Sequence, residues 1–530
     1  MILRLIALLV ALFSAPIIGF AQTVVDRCGS DTEPGGTRNL AKALTEGGRI
    51  IFSCPPGTNI RMTIGHTVAP GTTIDGEGKV ALDAHGLAMT MFRVPNGSFS
   101  AEHLTIRNAA LPPTTNPAFP PRASVLLASG DVSFNDVSIT ASGTPVLIRG
   151  NARILNSEFL GNSSWALTID GEALVERSRF IGNGTGLSLK SGMVHASLFS
   201  KNTSGALRIT YPKGQVSVIK SDFLANAGQG AILLSQRSSP GGTTTVSIKR
   251  CKFADNLSTN GGGAITILDT TVGAPPSVLP TLLRFPAARF DLRYNHFIGN
   301  HGTNGGAINA NLHETEGLLL TGGIFVRNVA DGAGGAIAWV GRSVLITHSL
   351  FRANHGQKGG ALFADFRSSG ARWAIANSLF AENTVGPNGG AIEVGPVELF
   401  NVTIARNVGV GFVADVHGSP PNLPVVINTI FSENSHGNCR GIAPAGFRGR
   451  NLQFGHRDCP DVPVQDPYLD SLYVPALGSP ALSLGDVASC RAAPVSRKDI
   501  IFQSRATDSR CALGAFERPP IRRVPPNPER

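Results

Sequence analysis

The sequence predicts an all-β fold, a single-stranded right-handed parallel β-helix that grows as a solenoid along one axis. Three observations predict it. A two-part motif, Phe-x-x-Asn followed by Gly-Gly-Ala-Ile or a variant, recurs from about residue 150 to 435. The runs between the motifs, such as VSVIKSDF, SVLITHSLF and LPVVINTIF, are rich in β-branched residues and alternate with period two, the pattern of strands rather than helices. Finally, only 15% of the 530 residues are charged, with 62 Gly and 35 Pro, which fits many short strands and turns and excludes a disordered chain.

The Phe-x-x-Asn copies include FLGN (159–162), FIGN (180–183), FLAN (223–226), FADN (253–256), FVRN (325–328), FRAN (351–354) and FSEN (431–434), with IARN (404–407) as a variant. Spacings run from 19 residues (Phe180 to Phe199) to 44 (Phe253 to Phe297). Periods of this size mean stacked supersecondary units. Aligned on the glycine element, one column reads Leu167, Leu187, Leu207, Ile232, Ile265, Ile308, Ile337, Leu362, Ile392. Two residues on, it reads Ile169, Leu189, Ile209, Leu234, Ile267, Ala310, Trp339, Ala364, Val394. Both are apolar and so point inward. The column between them, Thr168, Ser188, Arg208, Leu233, Thr266, Asn309, Ala338, Phe363, Glu393, is mixed and is expected to face outward. The Phe column is expected inside as well. So is the small-residue column two positions before it, which holds Ser157, Ser178, Ser197, Ser221, Cys251 and Asn295 among others. The recurrent Asn predicts a stacked amide ladder in a tight turn, and the Gly pairs predict positive φ and close backbone approach. Asn-x-Ser/Thr at Asn162 and Asn256 then reflects the ladder rather than glycosylation.

The ends mark a compartment. Arg4 precedes the apolar run IALLVALFSAPIIGF, and Gly19-Phe20-Ala21 places small residues before a cut after Ala21. This reads as a secretory signal peptide. No later segment is apolar for long enough to span a bilayer as a helix. The expected location is therefore extracellular, cell-surface or periplasmic. The seven Cys fit such an oxidising compartment. Cys28 with Cys54, Cys439 with Cys459 and Cys490 with Cys511 are expected to form disulfides as sequence-local pairs, although spacing does not fix connectivity. Cys251 takes a Ser position in the inward column and reads as a buried thiol rather than a nucleophile. There is no CxxC and no zinc-ligand spacing, so no metal site and no cofactor is expected.

The GGAI and FxxN repeats resemble those of the chlamydial-type polymorphic outer-membrane proteins and of many bacterial right-handed β-helix proteins. TRNLAKALTEGGRIIFSC (37–54) looks like the amphipathic helix that caps the first turn of such proteins. TIDGEG (73–78) and LTIRN (104–108) look like early-coil sequences. GSPALSLGD (478–486) followed by TDSRCALGAFE (507–517) resembles the C-terminal region termed choice-of-anchor Q. The resemblance implies a signal peptide at 1–21, an N-terminal cap at 22–57, the β-helix at 58–435, the anchor-like region at 436–517 and a basic Pro-rich tail at 518–530. Relatives of the autotransporter type add a C-terminal barrel that this chain does not show, so release, periplasmic retention and anchoring remain equal expectations.

The resemblance carries fold more than activity. β-Helix proteins include polysaccharide lyases and hydrolases, whose chemistry needs paired carboxylates, or carboxylates holding Ca²⁺ beside an Arg or Lys base. Coils stack about 4.8 Å apart, so such a site would show as acidic residues in one outward column on adjacent turns. Asp170 and Asp365 share a column but stand seven turns apart. The column before the Phe is richer: it reads Glu158, Arg179, Leu198, Asp222, Lys252, His296 and then loses its charge. Asp222, Lys252 and His296 form either an acid/base or sugar-binding patch or a salt-bridge ladder on a solvated face. Insertions at 235–245 and 270–289 leave the neighbouring coils and can wall a groove, with Arg284, Arg289 and Arg293 lending positive charge; tolerated length variation explains them equally well.

The net charge of +10 reads as a mildly basic surface. The basic residues are dispersed, with no Lys/Arg run interleaved with aromatics, which argues against nucleic acid. Three functions follow: non-enzymatic adhesion to glycans or surfaces, a polysaccharide lyase or glycoside hydrolase acting on an acidic glycan (with Ca²⁺ only in that case), or a structural spacer. The expected partner is a polysaccharide or cell-surface glycan.

Overall fold

A computed structural model describes residues 22–34, 38–85, 90–109, 124–143, 146–212, 214–236, 245–269, 289–311, 317–341, 343–365, 372–414, 424–505 and 510–518. The expected signal peptide, most of both insertions and most of the basic tail lie outside them. Among the described residues no helix is long and apolar enough to cross a membrane. The chain divides into two compact units, Met1–Ser164 and Trp165–Arg530.

In the first unit a short helix, Leu40–Glu46, begins where Asn39 accepts a bond from the Lys42 amide, and it buries Leu40, Ala43 and Leu44. The strand Gln22–Val25 pairs in parallel with Arg49–Phe52, which pairs with Thr72–Asp75, and that strand pairs with Phe99–Arg107. Phe99–Arg107 then pairs with Val132–Thr140, whose two halves pair with Ala152–Leu155 and Glu158–Leu160. Consecutive parallel pairing with one coil per rung is a β-helix. The disulfide Cys28–Cys54 closes its start.

The second unit repeats the pattern with the register expected from the motif. Leu187 pairs with Leu207, Leu207 with Ile232, Ile232 with Ile265, Ile265 with Ile308, Ile308 with Ile337, Ile337 with Leu362 and Leu362 with Ile392. The Phe column stacks face to face from Phe180 through Phe199, Phe223, Phe253, Phe297, Phe325 and Phe351 to Phe380, with centroids 4.5 to 4.9 Å apart. Each ring is fully buried, which stabilises by about 1.5–3 kcal/mol per Phe.

The Asn ladder runs beside it. The Asn226 side-chain amide donates to Asn256 Oδ1 at 2.9 Å and to the Phe199 carbonyl at 3.0 Å, and the same pair of bonds recurs from Asn202 to Asn407. The ladder ends at Asn434, which donates to Asn438, whose own amide N–H meets the Asp458 carboxylate. The tight bend before each inner strand needs glycine. Gly334 sits at φ 69°, and a Cβ there would collide with the Ile337 carbonyl; one on Gly335 would strike the Gly360 carbonyl of the next coil.

The mixed column departs from expectation in part. Ser188, Leu233, Thr266, Ala338 and Glu393 are buried, while Thr168, Arg208, Asn309 and Phe363 are half-buried. The Gly-rich bend folds back over it: Thr266 Oγ1 accepts from the Gly262 amide at 3.0 Å, and Glu393 Oε2 accepts from the Gly359 amide at 3.2 Å. Period-two alternation gives the direction of a side chain but not what covers it.

Residues beyond 436 dock along the flank of the last coils and are cross-linked among themselves by the disulfides Cys439–Cys459 and Cys490–Cys511. At each coil corner one residue sits at positive φ, and in the last coils these are Asn377, Asn401 and Asn428. The Asn377 side chain donates to the Val495 carbonyl, Asn401 to Ala512 and Asn428 to Asp486, at 3.0 to 3.1 Å. Arg505 is fully buried and donates to Asn377 Oδ1 and to the carbonyls of Lys498, Ala512, Gly514 and Ala515. Apolar contacts complete the seam: Leu379, Ala381 and Ala405 meet Tyr473, Ile500 and Ala515, while Ile430 and Leu452 meet Ala481 and Leu513.

Candidate functional site

The strands Asp222–Leu224, Lys252–Ala254 and His296–Ile298 each open with the residue of interest, followed by the buried Phe. Inward Phe forces the preceding side chain outward. Asp222 pairs with Lys252 and Lys252 with His296, so the three occupy consecutive rungs of one exposed column. No ion pair joins them among the described residues. The corner behind each is a left-handed residue, Lys220, Arg250 or Tyr294.

The column continues to Ile324, Leu350 and Leu379. Leu350 and Leu379 pack beneath the C-terminal region. The loss of charge after His296 is therefore the footprint of that region, and the exposed polar stretch stops short of it.

Beside the column, Lys249 pairs in register with Arg293, and Ser247 with Asp291. Asp291 accepts from Arg293 Nε at 2.6 Å and lies 3.4 Å from Lys249 Nζ. Arg293 is thus held by a carboxylate of its own strand rather than projecting as a free cation. Arg289 opens that strand, opposite Thr245, and its side chain lies outside the described residues, as does Arg284. The expected groove walls lie outside them as well.

Cys251 is buried in the small-residue column. Its thiol donates to the Lys249 and Val218 carbonyls, its amide N–H donates to Asn295 Oδ1, and burial pushes the thiol up to about 12. It is a free thiol packed in the interior.

The first unit holds a cluster that column alignment of the later repeats did not reach. Asp75, Glu102 and His103 bring ligand-type atoms within 4.8 Å of one another, the one such group among the described residues. Asp75 and Glu102 are register partners, so aligning TIDG with SAEH would have found them. Arg49 binds both carboxylates, at 2.5 and 3.2 Å, and His103 Nδ1 lies 3.1 Å from Asp75. Burial raises Asp75, but the Glu77 amide, His103 and Arg49 outweigh it and hold the carboxyl below its ordinary value. Ca²⁺ takes 6–8 oxygen ligands, and two carboxylates neutralised by Arg49 with an imidazole do not fit that demand.

Near the C-terminal region a depression of about 350 Å³ is lined by Arg406, Glu433, Asp466, Tyr468 and Asp470 among others. Arg406 Nε donates to Glu433 at 2.8 Å and its guanidinium lies over the Tyr473 ring. Its principal cation is thus already satisfied.

No protein-family model matches the chain, and no curated protein does. Among solved structures, tailspike protein 3 of bacteriophage CBA120 is similar at 12% identity and a TM-score of 0.26, covering 79% of this chain and 54% of that one. The chain thus spans about half the length of the tailspike. Pectate lyase Pel9A is similar at 11% identity and a TM-score of 0.26, covering 94% of this chain and 98% of that one. The Streptococcus pneumoniae surface protein and adhesin PfbA is similar at 12% identity and a TM-score of 0.24, covering 79% and 91%.

Proposed function

We propose that this chain is a secreted or cell-surface β-helix that binds glycans through its long faces without chemical turnover. The observation that carries the reading is the exposed column Asp222, Lys252 and His296, three different polar groups on consecutive rungs with no ion pair between them. A row of donors and acceptors at the coil spacing of about 4.8 Å suits the repeated hydroxyl and carboxylate groups of an extended polysaccharide. Elsewhere Asp75 and Glu102 share Arg49, Asp83 meets Arg107, Asp170 meets Lys190, Asp291 meets Arg293, and Glu382 meets Arg352. Carboxylates so engaged are poorly placed to act as a catalytic pair. The N-terminal apolar run and three disulfides support an oxidising compartment outside the cytoplasm.

The test is a panel of neutral and acidic glycans presented to the purified mature protein, with both retention and chain shortening measured. Retention without shortening is expected. Removing one charge-assisted hydrogen bond by Lys252→Ala should weaken binding about tenfold or more. Chain shortening that Asp222→Ala or Lys252→Ala abolishes would establish the lyase or hydrolase reading instead. Neither retention nor shortening on any glycan would favour a spacer.

A further inference from the structure

The corner residue His348 sits at φ 54° against the docked C-terminal region. Its ring lies face to face with Phe502, with centroids 4.2 Å apart and planes 4° from parallel. Tyr294, at an earlier coil corner, approaches the same Phe502 ring at 5.9 Å. The protonation state of His348 follows from its neighbours. Asn377 Oδ1 accepts from Arg505 Nε at 3.1 Å, and Arg505 has only donors to offer. The amide nitrogen of Asn377 must then face the other way, where it donates to the Val495 carbonyl at 3.1 Å and lies 3.4 Å from His348 Nε2. His348 Nε2 is therefore an acceptor, and the proton belongs on Nδ1, which is buried with no hydrogen-bond partner.

We propose that His348 makes docking of the C-terminal region pH-sensitive: the neutral imidazole holds Phe502, and protonation loosens the segment around 495–505. An imidazolium would aim an N–H at the Asn377 amide nitrogen, itself a donor. It would also place a second cation beside Arg505, the charged group that acts on it. The nearby carboxylates do not compensate. Glu517 lies 3.6 Å from Arg505, and Asp499 is engaged by the amides of Ile501, Gln503 and Glu517. Burial, then the Arg505 charge, pushes His348 down to about 4 from an ordinary 6.5. A depressed histidine favours the docked state above its ordinary value and loses that advantage as pH falls toward the docked value. At about pH 5 the docked state should be weakened about 20-fold relative to neutral pH. Loosening would withdraw Ile500 from the cluster that covers Leu379 and Leu350, two apolar members of the column that carries the exposed residues.

Hydrogen exchange of the full mature chain, corrected for intrinsic pH dependence, tests this. Protection of amides in 495–505 should fall about 20-fold from pH near 7 to pH near 5, while 297–354 holds. In His348→Phe, which keeps the stack, the fall should vanish. Unchanged protection in the wild type, or an equal fall in His348→Phe, overturns the proposal. Should His348→Phe fail to fold, Asn377→Asp serves: a carboxylate facing the imidazole should abolish or reverse the fall, and an undiminished fall overturns the proposal.

Discussion

At the residue scale, buried amides do the work that charges do in other folds. Asn328 donates to Asn354 and to the Phe297 carbonyl, and it accepts from Asn300. Asn328→Ala leaves a buried carbonyl and a buried amide unpaired, at about 1–3 kcal/mol each. Urea unfolding should show a loss on the order of 3 kcal/mol. Cys251 makes the opposite prediction. Its column otherwise holds mostly Ser, so Cys251→Ser should change stability by less than about 1 kcal/mol. With its thiol raised to about 12 and buried, it should resist thiol reagents until the protein unfolds. Both residues were legible in the sequence, because each recurs as one member of a stack. His348 was not, because its role depends on Phe502 and Arg505, which lie far along the chain and outside any period.

At the element scale, the inward columns were legible and the cover over the mixed column was not. The alternation that turns Ile265 and Ile267 inward is local; the Gly bend that folds over Thr266 between them is set by φ and by contacts with the next coil. The N-terminal cap gives a pH prediction. Asp31 is fully buried and takes bonds from His66, Thr63 and the Ile64 amide. Burial raises it, and those bonds together bring it below its ordinary value of 3.8. A depressed carboxylate stabilises above the ordinary value and ceases to do so as pH falls through the folded one. Asp31→Asn should therefore lower the melting temperature of the first unit near neutral pH, and the gap to wild type should narrow in acid.

At the scale of the molecule, one column carries both the candidate site and the docking seam. Its charge change from His296 to Leu350 was visible as a pattern in the sequence, but only the placement of residues beyond 436 explains it. The irregular C-terminal region has no repeat, so periodicity could not place it. Glycan retention with a simultaneous depolymerisation assay, run on wild type and Lys252→Ala, tests the central claim most directly. The account predicts retention that Lys252→Ala weakens about tenfold and no shortening of the glycan by either protein. Shortening by the wild type that is lost in Lys252→Ala would contradict it.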